Sequence, residues 1–383
     1  MLDKRTMRTW AEIDLDALTH NYLSLRAMLP RECRFLGLVK ANAYGHGAVG
    51  IARKLQSLGA DMLAVACLGE AEELRAAGIT LPILCLGKTP AAYVDDLLAA
   101  DVTQTVEDLE TAEKLSQAAL ARGRKLNIHV KLDTGMSRLG FLWTREGDHT
   151  AVLDEMVQVC GLPGLNAQGL FTHFANADGS EEFTMDQLTR YLDARDALDR
   201  RGVHFPVYHC GASAAVLNYP CTHMDMGRPG LALYGYYPDP SLEGLDGPGL
   251  EPVMTVKSRV SAVRALPAGT TVSYGGTVTL ERDSRVAVLP IGYGDGYPRA
   301  LSGQGFVKLD GVRCPILGRI CMDMCMVDVT DADDVKAGDV AVVYDAYLTQ
   351  EAAERAGTIV YEILCGVGPR VPRICMEGGR PVD

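Results

Sequence analysis

Between residues 34 and 226 the chain repeats one pattern about eight times: a short, apolar, β-rich run, then usually an amphipathic stretch. The runs are Arg34–Lys40, Asp61–Cys67, Leu81–Leu86, Val102–Val106, Leu126–Leu132, Ala167–Phe174, Val207–Cys210 and His223–Met226. Helical periodicity marks Val49–Leu58, Glu70–Ala77, Glu107–Arg122 and Phe183–Arg201, with Gly78, Gly123 and Gly202 as stops. Strands alternating with helices build parallel sheets. About eight units in roughly 230 residues fit a closed (β/α)8 barrel. An open doubly wound sheet is the competitor, but no G-x-G-x-x-G follows the first run, so the usual dinucleotide fingerprint is missing.

The texture changes after about residue 240. Pro238, Pro240, Gly244, Gly247, Pro248 and Gly249 make a Pro/Gly-rich connection. Strand patterns then run closely together: Val253–Ala265, Arg285–Pro290, Gly305–Leu309, Val312–Leu317, Met324–Val329 and Asp339–Tyr344. Asp310-Gly311 is a hairpin signal, and only Thr349–Ala356 looks helical. The expected fold class is therefore α/β: a TIM-like barrel over residues 1–240, then a mainly β C-terminal domain over 241–383. Two domains also suit 383 residues, more than one core usually holds.

A net charge of -12 repels phosphate polymers, so a general nucleic-acid role is not expected. No window is long and apolar enough to span a bilayer. Met1-Leu2-Asp3-Lys4-Arg5-Thr6 carries no signal-type stretch, so the expected location is cytoplasmic, with no membrane partner. The eleven cysteines are scattered without a C-x-x-C pair, and Cys321 and Cys325 are flanked by Met. They read as buried reduced thiols, and no metal site is expected.

In an α/β barrel, chemistry sits at the carboxyl ends of the strands. Lys40 ends the first run, Arg138 lies past the fifth, His173 near the end of the sixth, His209 and Ser213 around the seventh, and Arg228 after the eighth. Singly, each has an ordinary explanation. Lys40 could be solvated, His173 a satisfied core histidine, Arg138 a partner of Asp133 that holds a loop, and the Gly-rich run at 292–296 a tight turn. None of these explains all the positions together.

These segments resemble the alanine racemase family along nearly the whole chain, most specifically in VKANAYGHG. The resemblance implies that Lys40 carries pyridoxal 5'-phosphate as an imine and that Tyr44 contacts its phosphate. In KLDTGMSRLG it gives Arg138 the cofactor's phenolic oxygen and the substrate carboxylate. Lys131 of that segment is carbamylated in some members. The T-H-F-A segment maps to His173, and R-P-G puts Arg228 beneath the pyridine nitrogen. Ser213, Gly230 and Leu231 match phosphate-binding positions, and His209 lies in the pocket's surroundings. VSYGGTVT matches the strand bearing a catalytic tyrosine, here Tyr274. IGYGDGYPR carries Tyr293 and Arg299, and ICMDM carries Met322 and Asp323, which close the pocket. YEILCGVGPRVPR matches the C-terminal signature. Ala212 stands where many members have Asn, and Pro369 where some have a tyrosine.

The implied reaction is racemisation of alanine by two bases, Lys40 and Tyr274, supplying D-alanine for peptidoglycan. The implied assembly is a homodimer in which Tyr274, Met322 and Asp323 reach the partner's barrel, and in which a chain runs from Tyr274 to His173 to Arg228. A substrate such as serine keeps the reaction and changes the pocket. A decarboxylase of the same plan would carry E-P-G-R where this chain has Gly227-Arg228-Pro229-Gly230. A non-catalytic cofactor carrier would lack the second domain.

Overall fold

The computed structural model describes residues 7–239 and 249–382. Met1–Thr6 and most of the Pro/Gly-rich connection, including Pro240, Gly244, Gly247 and Pro248, lie outside the described residues, as does the expected boundary at 240/241. The chain forms two compact units. One comprises residues Thr19–Ala43 and Ala48–Leu250; the other comprises Met1–Leu18, Tyr44–Gly47 and Glu251–Asp383, of which the described residues are treated below.

The first strand, β1 (Thr9–Asp14), does not belong to the barrel unit, where the expected 1–240 boundary had put it. The barrel is built from β2 (Arg34–Leu38), β3 (Met62–Val65), β4 (Ile83–Cys85), β5 (Val102–Val106) and β6 (Leu126–Asp133). The two-residue β7 (Phe141–Leu142) pairs off β6, and β8 (Leu165–Phe171), β9 (Val207–His209) and β10 (Met226–Gly227) complete the ring. The strands are parallel in the order β10-β2-β3-β4-β5-β6-β8-β9. Two backbone bonds draw the last two together, Asp225 N to Tyr208 O and Arg228 N to Gly211 O, both 3.0 Å. The eight expected runs are thus the eight barrel strands, each within a few residues.

Burial explains this. Ile83, Leu84 and Cys85 of β4 are fully buried, as expected of strands covered on both faces. The helix starts lie one or two residues from the expected ones, at Ala48, Leu68, Leu109 and Glu181, and one of these shifts matters. Helical geometry begins at Leu109, where the Asp108 carboxylate accepts from Thr111 N at 2.7 Å. Glu107 is therefore the residue that leaves β5 rather than the first residue of a helix.

The second unit contains a ten-stranded sheet. Its strands are β1, β11 (Met254–Arg259), β12 (Ala262–Leu266), β15 (Ser284–Leu289), β16 (Phe306–Leu309), β17 (Val312–Leu317), β18 (Cys325–Asp328), β19 (Val340–Tyr344), β20 (Arg373–Glu377) and β21 (Arg380–Pro381). A separate hairpin pairs β13 (Thr271–Val272) with β14 (Val278–Thr279). β1 lies between β11, antiparallel, and β20, parallel. A second helix, Val360–Gly366, joins Ala346–Ala356, where the sequence showed only one. All eleven cysteines are free thiols, but only Cys33, Cys85, Cys210, Cys314 and Cys325 are fully buried; Cys67, Cys221 and Cys365 are exposed. No helix among the described residues is long and apolar enough to cross a membrane.

Candidate active site

Lys40 follows directly on β2, and the chain then turns the wrong way for L-residues. Ala41, Asn42 and Ala43 all have φ of 53°, and Tyr44 has 51°. Each non-glycine residue in this left-handed region costs roughly 1–2 kcal/mol, so surrounding bonds must hold it. Ala43 N donates to Val39 O at 2.8 Å, Ala48 N to Asn42 Oδ1 at 2.8 Å, and Ala41 N to Glu70 Oε1 at 2.6 Å. The other oxygen of Glu70 accepts from Ala66 N, just past β3, at 2.7 Å. Glu70 thereby ties the Lys40 turn to the end of the next strand.

Arg228 is almost fully buried at the end of β10. Its Nη2 donates to Thr172 O and Cys210 O, both at 2.9 Å, and to His173 Nδ1 at 3.4 Å. Its Nη1 donates to His209 Nδ1 at 2.9 Å. A guanidinium has no acceptor, so this bond fixes His209 with its proton on Nε2, which donates to His129 Nδ1 at 2.9 Å. His209 also stacks on Phe171, with ring centroids 4.8 Å apart. His129 was not anticipated. It sits two residues before Lys131 on β6, and that spacing puts both side chains on one face. Gly169 of β8 makes room for it: a side-chain carbon there would stand 2.7 Å from the His129 ring.

The histidines are held neutral. Desolvation, then the Arg228 charge, pushes His129 down to about 3. The same causes, joined by Arg138, Lys40 and Lys131, take half-buried His173 to about 3. Burial and Arg228 take His209 well below its usual range. Lys131, buried and beside Arg138 and Arg228, falls to about 8, partly offset by Glu107 and Asp133. Lys40, Lys131, Arg138 and Arg228 thus all lie within electrostatic reach of His173 at one end of the barrel.

Arg138 is exposed on a loop that Asp133 organises. The two carboxylate oxygens accept from Gly135 N, Ser137 N and Arg138 N, each at 3.0 Å. Asp133 does hold the loop, but through these backbone amides, leaving the Arg138 guanidinium to project. Ser213 Oγ is buried and accepts from Gly230 N at 2.8 Å and Ala232 N at 3.2 Å. Ser213, Gly230 and Leu231 therefore lie together, while Ala212 begins the short helix Ser213–Asn218 without a side-chain cap.

The second unit assembles its own group. Tyr274 lies on a turn, Tyr274–Gly276, between β13 and β14, rather than on a strand. Ser273 enters that turn at a φ of 67° and donates to Arg319 O at 2.5 Å. Tyr274 is 69% exposed, Met322 53% and Tyr293 44%. Tyr293 N donates to Cys321 O and Gly294 N to Met322 O, so Tyr293 and Met322 stand side by side. Buried Asp295 locks this corner: it pairs with Arg8 at 2.5 Å and with Arg370 at 3.0 Å, and Arg370 reaches Asp323 at 2.7 Å. The Gly-rich run is more than a loose turn, since a side-chain carbon on Gly296 would lie 1.9 Å from Gly366 O. Arg299 opens a 3-10 turn, Arg299–Leu301, in the same unit. Tyr44 belongs to this unit and is buried against Tyr361, with ring centroids 6.0 Å apart.

A parallel barrel whose strand ends gather two lysines, two arginines and a guanidinium-tied histidine chain defines an enzyme built for an anionic ligand. Comparison with known proteins makes this specific. The sequence model of the alanine racemase N-terminal domain matches residues 13–238, and that of the C-terminal domain matches 253–375. The alanine racemase of Clostridium perfringens is 44% identical over 374 residues, covering 95% of this chain and 94% of that protein. Alanine racemase of Clostridium difficile in complex with cycloserine superposes with a TM-score of 0.92 at 36% identity, over 99% of this chain and 98% of that one. Alanine racemase of Bacillus anthracis with bound L-Ala-P gives 0.91 at 34%, over 98% and 97%. The chain belongs to the alanine racemase family, isomerases that interconvert the enantiomers of alanine.

Proposed function

We propose that this chain racemises alanine with pyridoxal 5'-phosphate held on Lys40, using Lys40 and Tyr274 as the two bases. The observation that carries the reading is the cationic barrel mouth around Lys40, with Arg228 tied to His209 and His173 in its floor. The donor set fits the cofactor. Ser213, whose Oγ accepts from the Gly230 and Ala232 amides beside Leu231, forms a buried polar corner that with the excess of cations nearby suits a phosphate. When bound, the cofactor supplies an electron sink for the pair left at the α-carbon.

The residues do the rest. Arg138 takes the substrate carboxylate. Arg228, pushed down to about 10 by burial, stays charged at neutral pH and offers only donors to the ring nitrogen. With only donors there, Arg228 would not support a protonated ring nitrogen, which would disfavour return of the proton to a carbon of the cofactor instead of the α-carbon. Lys40 Nζ moves the α-proton on one face and Tyr274 Oη on the other.

A homodimer with composite sites accompanies this mechanism. The exposure of Tyr274, Met322 and Tyr293 supports it, because three large side chains are left for another surface to cover. Tyr274, Met322 and Asp323 would enter the partner's barrel mouth, and Tyr44 would meet the phosphate. Supply of D-alanine for peptidoglycan is the family's general role. The test is loss of optical activity with L-alanine and, separately, with L-serine. Faster turnover of serine would overturn alanine as the substrate.

A further inference from the structure

The residues that follow the Lys40 turn are held from the C-terminal end of the chain. Tyr44–Gly47 belongs to the same unit as β1 and β20. Arg373 opens β20 and pairs with Ala11 of β1, whose N donates to Pro372 O at 2.9 Å. From that sheet edge the Arg373 guanidinium bonds four carbonyls. Nε donates to Gly45 O at 2.8 Å, Nη1 to Gly368 O at 2.6 Å and to Val371 O at 2.7 Å, and Nη2 to Val367 O. All four acceptors are neutral, and burial pushes the group below its usual range with no carboxylate to offset it. An arginine taken partly out of water for carbonyls alone has a geometric task, not a charge to balance. Three of the carbonyls belong to its own loop, while Gly45 is 328 residues away.

The carbonyl just before Gly45 is held too. His46 is 1% exposed, and its Nδ1 donates to Tyr44 O at 3.0 Å. Gly45 has a φ of 82°, and a side-chain carbon there would stand 2.1 Å from Leu364 O of the helix Val360–Gly366. Tyr44 is left-handed at a φ of 51°, a conformation that persists only where its neighbours impose it. Two side-chain donors and the helix backbone do so here. The Tyr44 ring is buried beside Tyr361. Burial, then Tyr361 and Cys365, push its phenol up, so it keeps its proton and stays a donor. We propose that Arg373 is a positioning residue for the cofactor phosphate: by holding Gly45 O it sets the Tyr44 phenol where a phosphate accepts from it. The inference rests on the reading that Tyr44 meets the phosphate. Arg373 acts through Tyr44 and needs no contact of its own with the ligand. Lysine in its place keeps the charge, but a single ammonium on a flexible stem does not reproduce the fork that serves Gly45 O and the 367–371 loop together.

Full-length protein, freed of cofactor, is dialysed to equilibrium against pyridoxal 5'-phosphate and, separately, against pyridoxal, which lacks the phosphate. The chains compared are wild type, Tyr44→Phe, Arg373→Lys, Arg373→Met and the Arg373→Met, Tyr44→Phe double variant. Tyr44→Phe is expected to raise the Kd of the phosphate ester about tenfold or more, the worth of one hydrogen bond to a charged group, and to leave that of pyridoxal unchanged. Both Arg373 variants should show the same selective loss. Adding Arg373→Met to Tyr44→Phe should cost nothing further, since both act on one contact. Arg373 variants that bind both ligands as wild type does, or weaken both equally, overturn the inference, because a merely structural arginine loosens the site without regard to phosphate. An Arg373→Lys chain that fails to fold overturns it as well. If Tyr44→Phe itself binds both ligands as wild type does, the reading of Tyr44 falls and this inference with it. If Tyr44→Phe discriminates and the Arg373 variants do not, only the inference falls.

Discussion

Replacing Gly169 by alanine tests the histidine chain beneath the site. The new carbon would lie 2.7 Å from Cγ, Nδ1 and Cε1 of His129, where ordinary contacts are about 3.5–4.0 Å. The ring must retreat by about 1 Å. Its bond to His209 is 2.9 Å, so a retreat of that size breaks it. Overpacking of a tight core costs about 1–3 kcal/mol, and the orphaned His209 donor about 1–3 more. For a barrel of this size the sum lowers the thermal midpoint by on the order of 10 °C. His209 keeps the tautomer that Arg228 dictates but loses the acceptor of its Nε2 proton, so the ring beneath Arg228 is held less tightly and racemisation slows as well. The assay is thermal unfolding of wild type, Gly169→Ala, His129→Ala and the double variant. Removing the ring removes the clash, so Gly169→Ala should cost much less in the His129→Ala background. Equal costs in both backgrounds, or a single variant within about 0.5 kcal/mol of wild type, would refute the reasoning.

Other outcomes follow from the same contacts. Glu70→Ala releases Ala41 N and Ala66 N from their acceptor and should lower kcat with little change in cofactor content, read by steady-state kinetics and cofactor release. As pH falls from about 6.5 toward 3, the barrel should lose stability: the unfolded chain binds protons that His129 and His173, held at about 3, refuse. Stability is therefore full above pH 6.5, and a midpoint indifferent to this range would contradict the neutral histidines. Arg228→Glu should raise transamination relative to racemisation, and an unchanged ratio sinks that role. Mixing Lys40→Ala and Tyr274→Phe proteins should restore activity if each site draws on two chains; no recovery after subunit exchange would place both bases in one chain.

The barrel was legible because each strand's apolar run ends at a helix signal and all strands share one burial requirement. β1 was not, because its partners β11 and β20 are more than two hundred residues away and nothing local records that pairing. The Val360–Gly366 helix escaped notice because Ile359, Val360 and Ile363 are β-branched and only tertiary packing makes them helical. Lys40, Arg138, His173 and Arg228 were readable as polar residues at strand ends. His129 was not, since its role depends on a contact across the barrel to His209 and on the missing side chain at Gly169. Glu107 was hidden by reading it as a helix start: the Asp108 cap moves that start onward and turns Glu107 inward.

Everything rests on Lys40 as the residue that carries the cofactor. Reduction of the purified holoenzyme with borohydride, followed by peptide mass mapping, tests this directly. The expected result is a single phosphopyridoxyl mass on the peptide containing Lys40. A reduced adduct on another lysine, or none on a protein that racemises alanine, would contradict the account.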